Sequence, residues 1–185
     1  MSNAIKSTYY DIVSDSKTAL VATTFEDDSR VKGYNIVYED YLDIPTGVSY
    51  FLLDLTGVSE RAVFSLPLKI KVPEGPIVLD VYEGGTVSAN GIELNTFNPN
   101  RLADFVHQGK IYVGPTVTDD GTKLFGESFG SAGGFFAAAT PGEGGASQPF
   151  INDVTKKWLL KIDNTSGAAI TVNGFFSWFE LPFGE

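Results

Sequence analysis

The sequence predicts an all-β fold, an antiparallel two-sheet sandwich with jelly-roll-like strand spacing. Three observations predict it. Glycine (20) and proline (9) recur along the chain and cut it into short apolar runs, the punctuation of strands and tight turns. Several runs alternate apolar and polar residues with period two, as half-buried antiparallel strands do. Asn90-Gly91 and Asp120-Gly121 supply the dipeptides that most favour hairpin turns, because both residue types tolerate positive φ.

Residues 1–33 come first and stand apart from the sandwich domain, 34–185. Tyr9, Tyr10, Ile12 and Val13 precede polar residues and the acidic run Glu26-Asp27-Asp28. This segment reads as an edge strand or as an arm lying on a neighbour. The start of the chain carries no apolar run behind Lys6, so a signal peptide is not expected.

Strands are expected at about 34–42, 48–56, 61–72, 76–83, 92–97, 109–114, 122–127, 156–163 and 169–181. Tyr34, Ile36 and Tyr38 share a face, as do Leu68, Ile70 and Val72, then Ile77, Leu79 and Val81. Trp158, Leu160 and Ile162 repeat the pattern, with Lys157 and Lys161 on the wet side. Residues 99–106 are the one helix candidate, with a loop as the equal alternative.

Residues 126–149 are rich in glycine and interrupt the pattern. A structureless loop of that length usually has a task. Phe129, Phe135 and Phe136 would be costly to leave in water, so a loop ordered by another subunit is the sharper of two readings. In the last strand Ile170, Val172, Phe176 and Trp178 alternate with Thr171, Asn173, Phe175, Ser177 and Phe179. If the first set is core, Phe175 and Phe179 face outward as a subunit contact. Otherwise both faces are buried within the chain, or a bulge at Gly174 shifts the phase.

An internal echo links Gly84-Gly85-Thr86-Val87-Ser88-Ala89-Asn90-Gly91-Ile92-Glu93-Leu94 to Gly114-Pro115-Thr116-Val117-Thr118-Asp119-Asp120-Gly121-Thr122-Lys123-Leu124. Two similar hairpins at one end of the sandwich are the expectation. A single echo is too little for a solenoid or propeller.

Charge and composition narrow the function. The formal net charge is −10 and the sequence pI about 4.5, so neither nucleic acid nor an anionic membrane is an expected partner. There is no cysteine and one histidine, which leaves no usual transition-metal site. Neither Glu26-Asp27-Asp28 nor Asp119-Asp120 has the spacing of a calcium loop. No two carboxylates can be paired across a cleft from the sequence, and no phosphate-binding or dinucleotide motif is present. Gly126-Glu127-Ser128-Phe129-Gly130 matches the serine-hydrolase G-x-S-x-G, but His107 precedes Ser128 and the following residues do not read as a helix. Asn164-Thr165-Ser166 is a glycosylation sequon of the kind that arises by chance. No catalytic residue, cofactor or metal is therefore expected. What remains is aromatic and turn-rich surface. An adhesion or carbohydrate-binding module would use aromatic platforms such as Tyr38, Tyr41 and Trp178, near Glu39 and Asp40.

The segments Leu79-Asp80-Val81-Tyr82-Glu83-Gly84-Gly85-Thr86-Val87-Ser88, Asn90-Gly91, Asn98-Pro99-Asn100-Arg101 and Gly114-Pro115-Thr116-Val117-Thr118-Asp119-Asp120-Gly121-Thr122 resemble those of tailed-phage virion proteins. So does the ending, Trp158 to Gly167 followed by Trp178-Phe179-Glu180. The resemblance covers roughly 48–181 in the same order, leaves 1–33 uncovered, and is interrupted at Pro99. It implies a β-sandwich decoration or cement protein on the outside of a phage head, made in the host cytoplasm. It further implies major capsid protein as partner, self-association as a trimer in preference to a dimer, and no catalytic residues. A tail, fibre or adhesion module is the alternative. The contact residues expected are Tyr9, Tyr10, Asn90, Gly91, Asp120, Gly121, Phe129, Phe135 and Phe136, with Phe175 and Phe179 if the last strand faces outward.

Overall fold

The computed structural model describes residues 9–14, 17–22, 32–58, 61–65, 70–71, 77–129, 135–136 and 150–181. Its strands are β1 (Tyr9–Ser14), β2 (Lys17–Ala22), β3 (Asn35–Ile44), β4 (Gly47–Asp54), β5 (Arg61–Ser65), β6 (Ile70–Lys71), β7 (Ile77–Glu83) and β8 (Thr86–Ala89). They continue with β9 (Ile92–Glu93), β10 (Lys110–Val113), β11 (Thr116–Asp119), β12 (Thr122–Phe129), β13 (Phe135–Phe136), β14 (Phe150–Asn152), β15 (Lys157–Asn164) and β16 (Ile170–Leu181).

Among the described residues all strand pairings are antiparallel. One sheet has the order β12-β7-β15-β4-β10-β9. In the other, β16 carries β3 along one edge over residues 170–179, while β5 and β6 pair it elsewhere. The inner faces of the two sheets make one core. Phe51, Leu53, Ile77, Leu79, Val81, Ile111, Trp158, Leu160 and Ile162 come from the first sheet; Ile36, Tyr38, Ile44, Ile170, Val172, Phe176 and Trp178 come from the second. Phe176 sits centrally, 5.6 Å from the Phe51 ring and 6.0 Å from Tyr38. The period-two faces read from the sequence at 77–81, 158–162 and 170–178 are the core faces.

Four expectations are corrected. Residues 99–106 form no helix. Pro99 follows Asn98, whose carboxamide oxygen accepts from Asn100 N–H, and the Asn100 oxygen accepts from Leu102 N–H. Side chains that satisfy nearby backbone donors compete with helix. Phe179 does not face outward: it is 2% exposed, as part of a stretch of β16 buried on both faces, Phe176–Glu180. The β16–β3 register runs without a shift through Gly174, so no bulge changes the phase. Finally, 126–149 is not irregular throughout: β12 continues to Phe129, and β13 pairs β6. The rest of that zone, Phe175's side chain and those of Phe129, Phe135 and Phe136 lie outside the described residues. Of the first 33 residues the structure describes β1 and β2, which pair with each other as a hairpin, and Lys32-Gly33; the side chains of Tyr9 and Tyr10 lie outside the description.

Candidate functional site

The echo at 84–91 and 114–121 does not fold as two hairpins. Asn90-Gly91 joins β8 to β9, yet β8 pairs with β11 and β9 with β10. Asp120-Gly121 joins β11 to β12, yet β12 pairs with β7. Each dipeptide is a corner at which the chain leaves one sheet for another. Gly84 and Gly114 make the preceding corners, with φ of 76° and 67°. Gly84 N–H donates to the Lys157 carbonyl at 2.8 Å, and Gly114 N–H donates to the Tyr50 carbonyl at 3.0 Å.

These equivalences extend across the whole sheet. Its strand order maps onto itself when β7 is exchanged with β10, β12 with β9, and β4 with β15. The pseudo-twofold axis passes through the facing pair Leu52 and Leu159. Both leucines are fully buried although they lie on the face away from the core. The small β8–β11 sheet covers them as a clasp, with buried Gly85 and Pro115 at its corners. A Cβ on Gly85 would collide with Leu159 Cδ1. Gly91 packs against the Val113 carbonyl and Gly114, and Gly121 packs against the Glu83 carbonyl and Gly84. Each repeat thus closes over the other's corner, and a side chain at either glycine would meet backbone that cannot move aside.

Polar contacts obey the same exchange. Tyr50 hydroxyl donates to Asp120 at 2.8 Å, and its counterpart Lys157 donates to Asn90 at 2.9 Å. The Lys123–Asp80 ion pair at 2.7 Å is matched, with the charges reversed, by Glu93–Lys110 at 3.0 Å. Lys161 bonds Asp120 at 3.0 Å and lies 5.6 Å from the Tyr50 ring centroid. In the other half Lys157 bonds Asp54 at 3.1 Å. The hydrogen bond to Asp120, then that to Tyr50, holds the Lys161 ammonium well above the ordinary lysine range. Burial raises the Tyr50 phenol, and its bond to Asp120 raises it further. Burial opposes ionisation of Asp54, but the Thr56 hydroxyl, the Thr56 N–H and Lys157 together hold it below the usual carboxylate range.

A second anchor joins the end of the β9–β10 loop to β16. The Glu180 carboxylate is 3% exposed. It accepts from Gln108 N–H (2.8 Å), Gly109 N–H (2.7 Å) and Trp178 Nε1–H (2.9 Å). Three donors aimed at one buried carboxylate satisfy it without a cation.

The structure therefore brings Asn90, Gly91, Asp120 and Gly121 together on one face, as parts of the clasp. Asn90 and Asp120 are half-buried and bonded internally, whereas Gly91 and Gly121 are exposed. Leu52, Leu159, Lys161 and Glu180 were not singled out from the sequence. A signal for two of them exists: Phe51-Leu52-Leu53 and Trp158-Leu159-Leu160 are unbroken apolar runs, which mark strands covered on both faces.

The chemical motifs resolve as structure. Gly126 to Phe129 lies within β12, where Ser128 pairs Val78 in extended backbone; a nucleophile elbow needs a strand-to-helix turn. Asn164 of the sequon is 1% exposed, and its amide donates to the carbonyls of Ile44, Pro45 and Ala168. His107 Nε2 is 2.9 Å from the Thr96 hydroxyl. Among the described residues, no three His, Asp or Glu side chains gather as metal ligands. Of the aromatic platforms, Tyr38 and Trp178 are buried, and Tyr41 is 74% exposed.

What the fold and clasp define is an antiparallel β-sandwich with a strand-exchanged internal repeat. Compared with family models, curated proteins and solved structures, the chain finds no match.

Proposed function

We propose that this chain is a non-enzymatic structural protein of a tailed-phage particle, a decoration or cement protein on the outer surface of the head. In this role it bridges major capsid protein subunits and acts as a homo-oligomer. The observation that carries the reading is the ordered series of virion-like segments, whose two Gly-x-Thr-Val frames are the two halves of the clasp. A clamp on a shell loaded by packed DNA needs a body that transmits force without deforming, and reciprocal closure of two repeats suits that need. Standard interfaces of about 1,600 Å² on neighbouring subunits, repeated over many copies, stabilise a shell even at modest affinity for each site.

The test is quantitative mass spectrometry of purified particles, counting this chain against the major shell protein. Copies in the hundreds and in simple ratio to the shell protein support decoration. A few to tens of copies move the chain to the tail or a fibre. Absence from particles ends the virion reading.

One observation favours an adhesion module instead. Tyr41 is a largely exposed ring flanked by exposed Glu39 and Asp40, the kind of platform on which sugars stack. Glycan-array binding that is lost in Tyr41→Ala would support it.

A further inference from the structure

We propose that the loop joining β9 to β10 is a twofold self-association surface, through which two copies of this chain meet about Leu102 and Ala103. The inference does not rest on the decoration reading.

The loop is pinned along its length. Leu94 N–H donates to the Ile111 carbonyl, and Phe97 exchanges two backbone hydrogen bonds with Val37 at 2.9 and 2.8 Å. Asn98 donates to the Gly33 carbonyl at 2.6 Å, and Phe105 packs edge-on against Tyr34 at 5.2 Å. Glu180 holds the far end at Gln108 and Gly109. A segment tied at this many points has the means to turn apolar side chains inward. It nevertheless presents Leu102 at 93% and Val106 at 79% exposure.

Charge identifies the occupant. The chain carries −10 overall, so two copies repel, but the loop itself holds one arginine and one aspartate and is neutral. Both Arg101 and Asp104 are exposed, and neither forms an ion pair among the described residues. In sequence they stand on either side of Leu102-Ala103. An antiparallel meeting of two copies about an axis between 102 and 103 sets Arg101 against Asp104 of the partner subunit, and Asp104 against Arg101 of the partner subunit. The leucines close the centre. This is the self-complementarity that an isologous contact requires. A basic or acidic partner would leave one of the two charges opposed by its like. The patch is small, so the contact belongs to the weak class below about 1,200 Å². It departs from the trimer that the virion resemblance implies.

Sedimentation equilibrium of the full chain, over about a hundredfold range of concentration reaching the high micromolar, tests the proposal. The expected result is a reversible monomer–dimer equilibrium. Leu102→Glu weakens it at least about tenfold, as do Arg101→Asp and Asp104→Arg singly. The double variant Arg101→Asp/Asp104→Arg regains dimer, because swapping both charges preserves the complementarity. Unchanged thermal midpoints show that all variants fold, since these side chains are solvent-exposed. A monomer at every concentration, a trimer, an oligomer indifferent to these substitutions, or a double variant as weak as the singles overturns the proposal. The particle count is a separate readout, so a monomer abundant on phage heads would end this inference and leave the decoration reading standing.

Discussion

The two repeats, 77–93 and 110–129, share Tyr82/Tyr112 and Thr86/Thr116 but differ in their charged side chains and in the polar residue at the second corner. Asn90 stands where the second repeat has Asp120, Gly85 where it has Pro115, and the Lys123–Asp80 pair answers a Lys110–Glu93 pair of opposite polarity. The burial pattern over 81–92 nonetheless repeats residue for residue over 111–122. The difference teaches which features the clasp needs. The corner glycines Gly84/Gly114 and Gly91/Gly121 recur because each sits at positive φ, and at Gly91 and Gly121 the opposite repeat's backbone leaves no room for a side chain. The cross-strand ion pairs vary because any complementary pair will serve at the surface.

The largest effects should come from the corner glycines and from the leucines on the axis. Gly91→Ala and Gly121→Ala each force a Cβ at positive φ into the opposite repeat's backbone. Each should lower unfolding free energy by about 2–4 kcal/mol, measured by urea denaturation. Equal losses, within about 1 kcal/mol, sustain the equivalence; tolerance at one site alone breaks it.

The leucines on the axis belong with them. Leu52→Ala and Leu159→Ala should each cost about 2–5 kcal/mol, as buried leucines do. Because the two face each other across β4 and β15, the double variant should cost less than the sum. A cost near zero at either would mean that the clasp does not cover the axis.

The second repeat alone is fastened through Glu180. Glu180→Gln keeps the shape but removes the charge and gives one of the inward N–H groups a donor to face, so a loss of about 1–3 kcal/mol is expected. Hydrogen exchange should rise at Gly109 and Gln108 and stay unchanged at the equivalent end of the first repeat. Equal loosening of both ends would contradict the asymmetry.

The smallest effects separate the polar networks. Asp120→Asn gives the second corner the residue of the first and should cost about 0.5–1.5 kcal/mol at neutral pH. The sign with pH differs between the halves. Lys161 is raised, so its contribution is complete below the ordinary lysine value of about 10.4 and is lost as pH rises through the higher folded value. Asp54 is lowered, so its contribution is present above about 3.9 and is lost as pH falls through the lower folded value. Denaturant midpoints should therefore show a shallower alkaline decline in Asp120→Asn and a shallower acid decline in Asp54→Asn. The reverse assignment would show that the networks act otherwise.

Much of the fold was legible because one face of each long strand is apolar with period two. Trp158, Leu160 and Ile162 could be placed in the core from spacing alone. The frame shared by 84–94 and 114–124 was legible as well, but its pairing was not. Local turn chemistry at Asn90-Gly91 favours a hairpin, and the structure overrides it. There β8 pairs β11, the equivalent strand of the other repeat, and buried Gly85 packs against Leu159. The placement of Phe179 stayed open for a related reason, since alternation describes a strand with one wet face and β16 has none at that end. Glu180 could not be found, because its three donors come from Trp178 and a loop more than 70 residues away.

By itself the sequence determined the β class, the strand faces at 77–81, 158–162 and 170–178, and the positions of the glycine corners. These follow from side-chain periodicity and backbone sterics, which act over a few residues. Only the tertiary structure decided which strand pairs with which, that the repeats exchange partners about Leu52 and Leu159, and that Leu102 is left in water. Those outcomes depend on surfaces formed by residues distant in the chain, and no local pattern encodes which of them finally meet.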